Sequence, residues 1–528
     1  MAAGGPEVIV FTSLFMKSHK LTTLLLAGSL LVATGCQKDL LDKTNPNGPS
    51  TAQFWKTSDD AVKGVYACYS GLQQYAVYGH SWQFMAARSD ESYSQSPFVE
   101  LANFTRFITP DNNFFISSFA WNDYYRTIFR TNQALTNIPN ISMDATLKAR
   151  LLAEARFIRA ISYFDLAYFF GRVPLVTTES TVGLRAKQGT QAEVEAQVIA
   201  DLLAAIPDLP LARAYSGTDR GRASKGAAQT LLARVYMHQK KYSEASALFT
   251  TIIGSNQYAL TDSYLDNFTE ANENNSESIF EIQYTASVLD VGQGQDNASA
   301  SEAYDRPNFF GPPGVTYADV QPRRWLLTAY TDSTVNFASG STTKHLIDPR
   351  RDISIISVLN PERFYGKTFT EWGWNPNQQY WRKYLNDRTR TTAENFTSGI
   401  NYRLMRYADV LLMQAEALTE LGQPATAVPL VNLVRQRASV NLAPLAGTYS
   451  QDGLRQLIRT ERAREFAGEG TRWYDILRWG LMDTQAGIDE LKARDTDFTN
   501  FRLGVSKLLP IPQRDIDIDP GVTQNPGY

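Results

Sequence analysis

The chain has 528 residues, of which 43% are hydrophobic, and a formal net charge of −3. This composition is typical of a folded globular protein with a large core, and the balanced charge without a long basic stripe argues against nucleic-acid binding. The two cysteines, Cys36 and Cys68, are too few to build a disulfide framework.

The N-terminal segment has the layout of a secretory signal. Lys17 and Lys20 form a positive region, and Leu21–Ala33 is an apolar run that ends shortly before Cys36. The run is too short to cross a bilayer core, which needs about 20 residues. Met16 is the expected initiator, and residues 1–35 are expected to be removed as a signal peptide.

Small residues directly precede Cys36 and resemble the lipobox of bacterial lipoproteins. We therefore predict lipid attachment at Cys36, followed by a polar tether over residues 36–53. The alternative is an ordinary cleaved signal with an incidental cysteine. Cys68 lies in a helical pattern and is predicted to be a small buried hydrophobe.

Helical periodicity dominates the rest of the chain. The first helix is expected to begin near Asp59, with Ser58 or Thr57 as its cap. Between about residues 262 and 399 the pattern changes to short β-like pieces among Gly, Asn, Ser and Pro-rich loops. The further predicted helices are Phe119–Asn137, Asp144–Phe169, Gln191–Ile206, Ser224–His238, Tyr242–Ile253, Tyr402–Leu421, Ala425–Ala438 and Asp452–Phe466.

Two of these helix pairs share one residue spacing. Small and large residues recur with separations of 3, 9 and 4 positions, which lets two antiparallel helices pack closely, as in tetratricopeptide repeats. We predict a mainly α fold with about four tetratricopeptide-like helix pairs as a scaffold and a loop-rich insertion. The spaced residues are Ala233, Tyr236, Ala245 and Phe249 in one pair and Ala415, Leu418, Ala427 and Val431 in the other.

Searches for catalytic and metal-binding motifs fail. The four histidines are scattered, and the chain contains no HExxH, P-loop or GxSxG pattern. Asp515, Asp517 and Asp519 imitate the start of a calcium loop, but Pro520 stands where glycine is needed. The sequence therefore predicts no catalytic residue, no metal site and no cofactor.

The densest charged run could hold either a catalytic pair or a network of ion pairs. On a helix, Glu461 and Glu465 share a face, and Arg462 lies three residues before Glu465. We favour the ion-pair network over the catalytic pair. The charged residues of the run are Arg459, Glu461, Arg462, Arg464, Glu465 and Glu469.

Aromatic residues in loops are the better lead to function. Their flat faces stack on sugar rings, while Asp, Asn and Arg side chains bind hydroxyl groups. For each ring, packing in the protein core is the competing interpretation. Core packing is least expected for the indoles of Trp372 and Trp374. The candidate ligand-binding residues are Trp82, Arg88, Asp90, Tyr93, Tyr304, Trp325, Trp372 and Trp374.

Taken together, several segments resemble the SusD/RagB family of outer-membrane nutrient-binding lipoproteins over nearly the whole mature length. The segments are CQKDLLDKTNPN from Cys36, FWKTSDDAVKGVYACYSGL from Phe54, WNDYYRTIFRTNQAL from Trp121, EARFIRAISYFDLAYFFGRVPLV from Glu154, YRLMRYADVLLMQAEAL from Tyr402, VNLVRQRA from Val431, LIRTERAREFAGEGTRWYDILRWG from Leu457 and LLPIPQRDIDIDPGVTQNPGY from Leu508.

The resemblance implies an outward-facing outer-membrane lipoprotein, anchored through Cys36, without catalytic activity. Such a protein captures oligosaccharides or other nutrients and delivers them to a SusC-like TonB-dependent transporter. No ligand-binding residue is carried over, because the loops match no family motif. Peptide or another nutrient as cargo, a surface glycan hydrolase and an assembly scaffold remain alternatives.

The resemblance and the patterns together divide the chain into five parts. After the signal peptide and the tether, residues 54–260 form an N-terminal helical half. Residues 261–400 form the loop-rich, ligand-binding insertion, and residues 401–528 form a C-terminal helical half.

Overall fold

The computed structural model describes residues 54–74, 76–108, 115–180, 183, 185–286, 302–330 and 348–528. The chain divides into two compact units, Met1–Lys56 and Thr57–Tyr528, and the account below concerns the second. The predicted signal segment and the lipid site at Cys36 lie outside the described residues.

Sixteen α-helices and eight short strands lie in the part of the chain that the structure describes. The helices are α1 Ser58–Leu72, α2 His80–Ala86, α3 Val99–Thr105, α4 Phe115–Asn137, α5 Ala145–Phe170, α6 Gln191–Ala205, α7 Lys225–His238, α8 Tyr242–Gly254, α9 Arg324–Ala329, α10 Arg350–Ser354, α11 Tyr407–Glu420, α12 Pro424–Arg435, α13 Gln451–Phe466, α14 Arg472–Arg478, α15 Gln485–Arg494 and α16 Gln513–Ile518. The strands are β1 Ser92–Ser94, β2 Val173–Pro174, β3 Gln188–Gly189, β4 Ser278–Ile282, β5 Val320–Pro322, β6 Ile355–Ile356, β7 Tyr380–Trp381 and β8 Tyr402–Arg406.

The long helices pack in sequence order into a continuous array. Helix α1 contacts α4, which contacts α5, and the contacts continue through α6, α7 and α8. Helix α8 then packs on α11, which pairs with both α12 and α13. The predicted mainly α fold built from helix pairs is confirmed.

The spaced residues of the predicted repeats form the contacts between paired helices. Ala233 of α7 and Ala245 and Phe249 of α8 are fully buried. Ala415 and Ala427, from α11 and α12, belong to one buried apolar cluster. The small side chains allow the close approach that the spacing predicts.

Helix α1 begins with a reciprocal cap. The Thr57 hydroxyl accepts a hydrogen bond from the backbone of Asp60, and the Asp60 carboxylate accepts one from the backbone of Thr57. Thr57 is therefore the cap, and Ser58 is the first helical residue. Cys68, on the inner face of this helix, is fully buried, as predicted.

The start of one predicted helix is wrong. Residues Tyr402–Arg406 form strand β8 rather than the first turns of α11, because they pair antiparallel with β4. In this pairing Tyr402 lies opposite Ile282, and Arg406 lies opposite Ser278. A partner more than 100 positions away in the chain overrides the local helical periodicity.

A second strand pair joins the N-terminal part of the protein to the middle of the chain. Strand β1 pairs antiparallel with β5, so that Ser92 lies opposite Pro322 and Ser94 lies opposite Val320. The loop that follows β1 and the loop that precedes β5 are therefore neighbours.

The charged run of α13 is part of a buried network of ion pairs. The Glu465 carboxylate lies 2.8 Å from Arg350, 3.0 Å from Arg406 and 2.9 Å from Arg437. Burial alone would raise the pKa of Glu465, but these three guanidinium groups lower it overall. The other members of this buried charge network are Glu277, Asp348, Lys383, Glu461 and Glu469.

The ion-pair interpretation of the run is thus confirmed. Arg462 pairs with Asp409 and Asp475, each at 2.8 Å, and Glu461 pairs with Arg350 at 2.7 Å. These carboxylates neutralise buried arginines and hold several elements together. Among the described helices none is long and apolar enough to cross a membrane.

Candidate ligand-binding surface

Two of the predicted aromatic ligand contacts lie in the core. Trp82 is 2% exposed and packs on Tyr78 and Tyr402, with ring centroids 5.4 and 5.5 Å apart. Tyr304 is fully buried and stacks on Tyr284 at 4.7 Å. Both rings are packed in the core, and neither is part of the exposed surface described below.

Arg88 and Asp90 are also interior residues. The Arg88 guanidinium lies 5.3 Å from the ring of Trp473 and donates a hydrogen bond to a backbone carbonyl. Asp90 is fully buried and pairs with Arg472 and Arg494, each at 2.6 Å. The buried pairs hold this loop against α14 and α15 and leave these groups without access to ligand.

Trp325 and Tyr93 are partly buried and have protein partners. The Trp325 indole donates to the backbone carbonyl of Asp90 at 2.5 Å, and two arginine side chains lie over its ring. The Tyr93 hydroxyl lies within hydrogen-bond distance of two amide oxygens, that of Gln321 at 2.7 Å and that of Gln378 at 3.0 Å. Of the two, Tyr93 lies next to the surface described below, since it is part of β1.

The two indoles of Trp372–Trp374 form a small core for the middle region. Their planes are 3° apart with centroids at 5.4 Å, and Trp374 is 7% exposed. Each indole nitrogen donates to a backbone carbonyl, that of Phe364 or of Pro313. The surrounding apolar cluster includes Phe364, Tyr365, Phe369 and Tyr380. Trp374 therefore packs in this core, and Trp372 covers its edge.

A different group of aromatic residues is presented to solvent where the β1 and β5 loops meet. We call it the loop surface and define it as Ser96, Phe98, Phe115, Tyr317, Asp319 and Phe396. Tyr317 is 60% exposed, Phe115 is 48% exposed and Phe98 is 40% exposed.

Asn308 fixes the position of two of these rings. Its backbone carbonyl accepts from the N–H of Tyr317 at 2.8 Å, and its side-chain oxygen accepts from the N–H of Phe396 at 2.9 Å. The two rings lie 6.1 Å apart. Ala318 and Phe396 have φ values of 56° and 62°, a region that non-glycine residues seldom adopt. Such backbone strain often marks functional sites.

A stacked pair forms the floor below Tyr317. The His80 ring stacks on Phe309 with centroids 4.1 Å apart, and Phe309 lies 5.5 Å from the ring of Tyr317. Asp305 binds the His80 side chain at 2.6 Å and its backbone N–H at 3.0 Å. Helix α2 thus supports the exposed ring from beneath.

Ser96 and Asp319 connect the Phe98 side of the loop surface to the Tyr317 side. The Ser96 hydroxyl donates to the Asp319 carboxylate and accepts from the N–H of Phe98 at 3.0 Å. Phe98 in turn contacts Phe115 edge-to-face at 6.3 Å. Burial raises the pKa of Asp319, while the Ser96 hydrogen bond and the nearby His80 oppose that rise.

This arrangement suits a ligand with apolar faces and hydroxyl groups. Exposed rings on a supported loop can stack on such faces, and the exposed Tyr317 hydroxyl can bond to a ligand hydroxyl, whereas Asp319 and Ser96 are buried and bonded to each other. Among the described residues no group of three or more His, Cys, Asp or Glu side chains is placed to hold a metal ion.

The candidates predicted from the sequence do not include the rings of this surface. Tyr317 stands in a Gly- and Pro-rich stretch, GPPGVTYADVQP, which marks it as a loop residue. Its exposure depends on Asn308, whose side chain also holds Phe396, 88 positions away. No pattern in the neighbouring sequence predicts this contact.

Comparison with known proteins gives consistent matches over most of the chain. Residues 276–528 match the family model described as the SusD family, and residues 39–237 match the one described as starch-binding associating with outer membrane. SusD-like protein P38 of Formosa agariphila is 29% identical over 481 residues, which cover 86% of this chain and 90% of the relative.

Solved structures agree with the sequence matches. A SusD superfamily protein from Bacteroides vulgatus superposes with a TM-score of 0.77 at 25% identity, covering 90% of this chain and 100% of that one. A laminarin-binding SusD-like protein superposes with a TM-score of 0.71 at 27% identity and the same coverage.

Proposed function

The chain belongs to the SusD/RagB family, and on that premise we propose that it captures oligosaccharides through the loop surface. The observation that carries the proposal is the exposed ring of Tyr317, held by Asn308 beside Phe396. A ring positioned before binding loses little side-chain entropy when a sugar stacks on it.

The relatives support a carbohydrate as the ligand. One matched family is described by starch binding, and one similar structure is that of a laminarin-binding protein. Both ligands are glucans, whose rings offer the apolar faces and hydroxyl groups that suit the loop surface. We propose the protein as a binding protein without turnover.

We further propose that the protein works at the outer surface of the outer membrane. The matched family is described as associating with the outer membrane, and the signal pattern before Cys36 supports a lipid anchor. Delivery of the captured sugar to a SusC-like TonB-dependent transporter is supported by the family resemblance.

To test this proposal, laminarin and starch oligosaccharides are titrated into the chain that lacks its signal segment. Binding is measured by calorimetry. The Tyr317→Ala and Phe98→Ala variants are expected to bind several-fold more weakly, since removal of one stacked ring costs about 1 kcal/mol at the low end of measured stacking. Both rings are exposed, so the melting temperature should be unchanged.

Phe129→Ala is the matched control. Phe129 is a 37% exposed aromatic residue on α4, 14 positions beyond Phe115 on the same helix, or about 21 Å along its axis. If Phe129→Ala weakens binding as much as Tyr317→Ala does, or if Tyr317→Ala leaves it unchanged, the loop surface is not the binding site.

The anchor is tested separately with Cys36→Ser in the full chain. The variant is expected to leave the membrane fraction after export, whereas the unchanged chain stays with it. A Cys36→Ser protein that remains in the membrane fraction would contradict the proposed lipid attachment.

A further inference from the structure

A polar groove of about 300 Å³ lies between the segment that precedes α7 and the segment that precedes β4. None of its lining residues belongs to the loop surface. The volume is at the low end of small-molecule sites. The lining includes Arg213, Arg220 and Arg222 on one side and Asn274, Asn275 and Ser276 on the other.

The groove has more positive than negative charge. One carboxylate, that of Glu281, lines it beside the three guanidinium groups. Glu281 lies 3.3 Å from Arg403 and accepts a hydrogen bond from Asn401 at 3.0 Å. It is therefore already balanced by a cation outside the groove.

Arg222 is likewise balanced by its own partners. It lies 2.6 Å from Glu154 and 2.7 Å from Asp219. Arg213 and Arg220 are different: within the described part of the chain, their side chains make no ion pair and no hydrogen bond. Two guanidinium groups at one groove are thus left without a counter-charge.

The backbone fixes the turn that bears Arg220. Gly221, between the two arginines, has φ +92°, and a Cβ there would lie 2.6 Å from the side chain of Gln283. The turn therefore requires glycine and packs directly on Gln283. Because Arg222 is held by Glu154, the adjacent Arg220 starts from a fixed backbone at the groove.

We propose that this groove binds an oxyanion, that is, a sulfate, carboxylate or phosphate group on a ligand. Guanidinium groups bind such groups through paired, charge-assisted hydrogen bonds. The rest of the lining is polar but held by protein partners: the Ser224 and Tyr258 hydroxyl groups lie 3.0 Å apart, and the Asn274 side chain bonds to Gln283. The inference is independent of the loop surface.

The experiment titrates the full chain with sodium sulfate and sodium phosphate at low, constant ionic strength, with chloride as reference. Arg220→Gln is expected to weaken sulfate binding about ten-fold, and Arg213→Gln/Arg220→Gln more, because each removes charged hydrogen bonds. Sulfate should raise the melting temperature of the unchanged chain but not of the double variant.

Arg185→Gln is the matched control, because Arg185 is an exposed arginine outside the groove and its replacement removes the same charge. If Arg185→Gln weakens sulfate binding as much as Arg220→Gln, the effect is one of net charge and the groove is not a site. Absence of binding by both sulfate and phosphate would also overturn the proposal.

A second arm identifies the source of the oxyanion. A sulfated galactan oligosaccharide that binds more tightly than sodium sulfate, while its desulfated form does not bind, supports a charged glycan as ligand. Tighter binding of phosphate than of either supports a phosphorylated ligand. Laminarin titrations of the same variants report on the loop surface, so the two proposals fail separately.

Discussion

The buried charge network and the loop surface differ in residue type and in exposure to solvent. In the network, Glu465 and its arginine partners are buried, and each charge is satisfied by several others. On the loop surface, aromatic rings face solvent on one side, and backbone hydrogen bonds and neighbouring rings hold them on the other. The charged run of α13 thus maintains the fold, whereas the exposed aromatic rings are the groups that we propose for ligand binding.

The strongest test of this division removes the centre of the network. Glu465→Ala leaves three buried guanidinium groups short of a partner and is expected to lower the free energy of unfolding by about 3–5 kcal/mol. Chemical denaturation measures this change in the free energy of unfolding. Lys63→Gln, which breaks an exposed ion pair on α1, should cause no measurable change. Equal stability of the two variants would contradict the structural role of the network.

The next test determines whether Trp372 and Trp374 stabilise the fold or contact a ligand. Trp374→Ala is expected to lower the free energy of unfolding by about 3 kcal/mol, since it removes a buried indole from an apolar cluster. Trp372→Ala, at the edge of the cluster, should cost less. A Trp374→Ala protein of full stability but without glycan binding would place Trp374 with the ligand instead.

A smaller effect concerns Glu91, a buried carboxyl that, unlike those of the network, forms no ion pair with any residue in the described part of the chain. Burial raises the pKa of Glu91 from 4.5 to about 8, with Arg472 opposing and Asp90 adding to the rise. The stability contributed by this group is fully present below about pH 4.5 and is lost as pH rises through about 8.

Glu91→Gln cannot ionise, so it should lose less stability than the unchanged chain over this pH range. Thermal unfolding between pH 5 and pH 9 measures the difference. Parallel pH curves for the two proteins would show that Glu91 is not the titrating group.

The smallest predicted effect is on the loop surface. Asn308→Ala removes the acceptor of the Phe396 N–H and is expected to weaken glycan binding by about 1 kcal/mol, roughly five-fold. Asn308→Asp keeps an acceptor oxygen and should restore most of the affinity. If Asn308→Asp binds as weakly as Asn308→Ala, the hydrogen bond does not position the ring. Calorimetry with the best glycan ligand measures both.

Local patterns were sufficient to predict most of the helical array. The start of α7 after Ser224 and the burial of Ala233 and Ala245 follow from spacing within one or two helices. Tyr402–Arg406 was mispredicted as helix, because its strand partner lies far away in the chain. The division of the chain at residues 260 and 400 remains a prediction.

The site was harder to predict, because exposure depends on contacts between distant loops. Trp325 and Trp374 satisfy the pattern of loop aromatics equally well, yet backbone carbonyls and apolar neighbours hold them in the protein. The Tyr317 backbone is bonded to Asn308, and Ser96 links the Phe98 backbone to Asp319. Neither the periodicity nor the composition of the sequence predicts these contacts.

The pairing of β4 with β8 has a consequence for how such a protein can diversify. Ile282 and Tyr402 lie opposite each other, so the chain leaves the helical array before residue 283 and rejoins it after residue 401 at neighbouring positions. Arg350 and Lys383, within this segment, are also ion-paired to Glu465 and Glu469 in the buried charge network. New ligand preferences can therefore evolve in this segment, or be grafted from a relative, without moving the helix pairs apart where these two cations are kept.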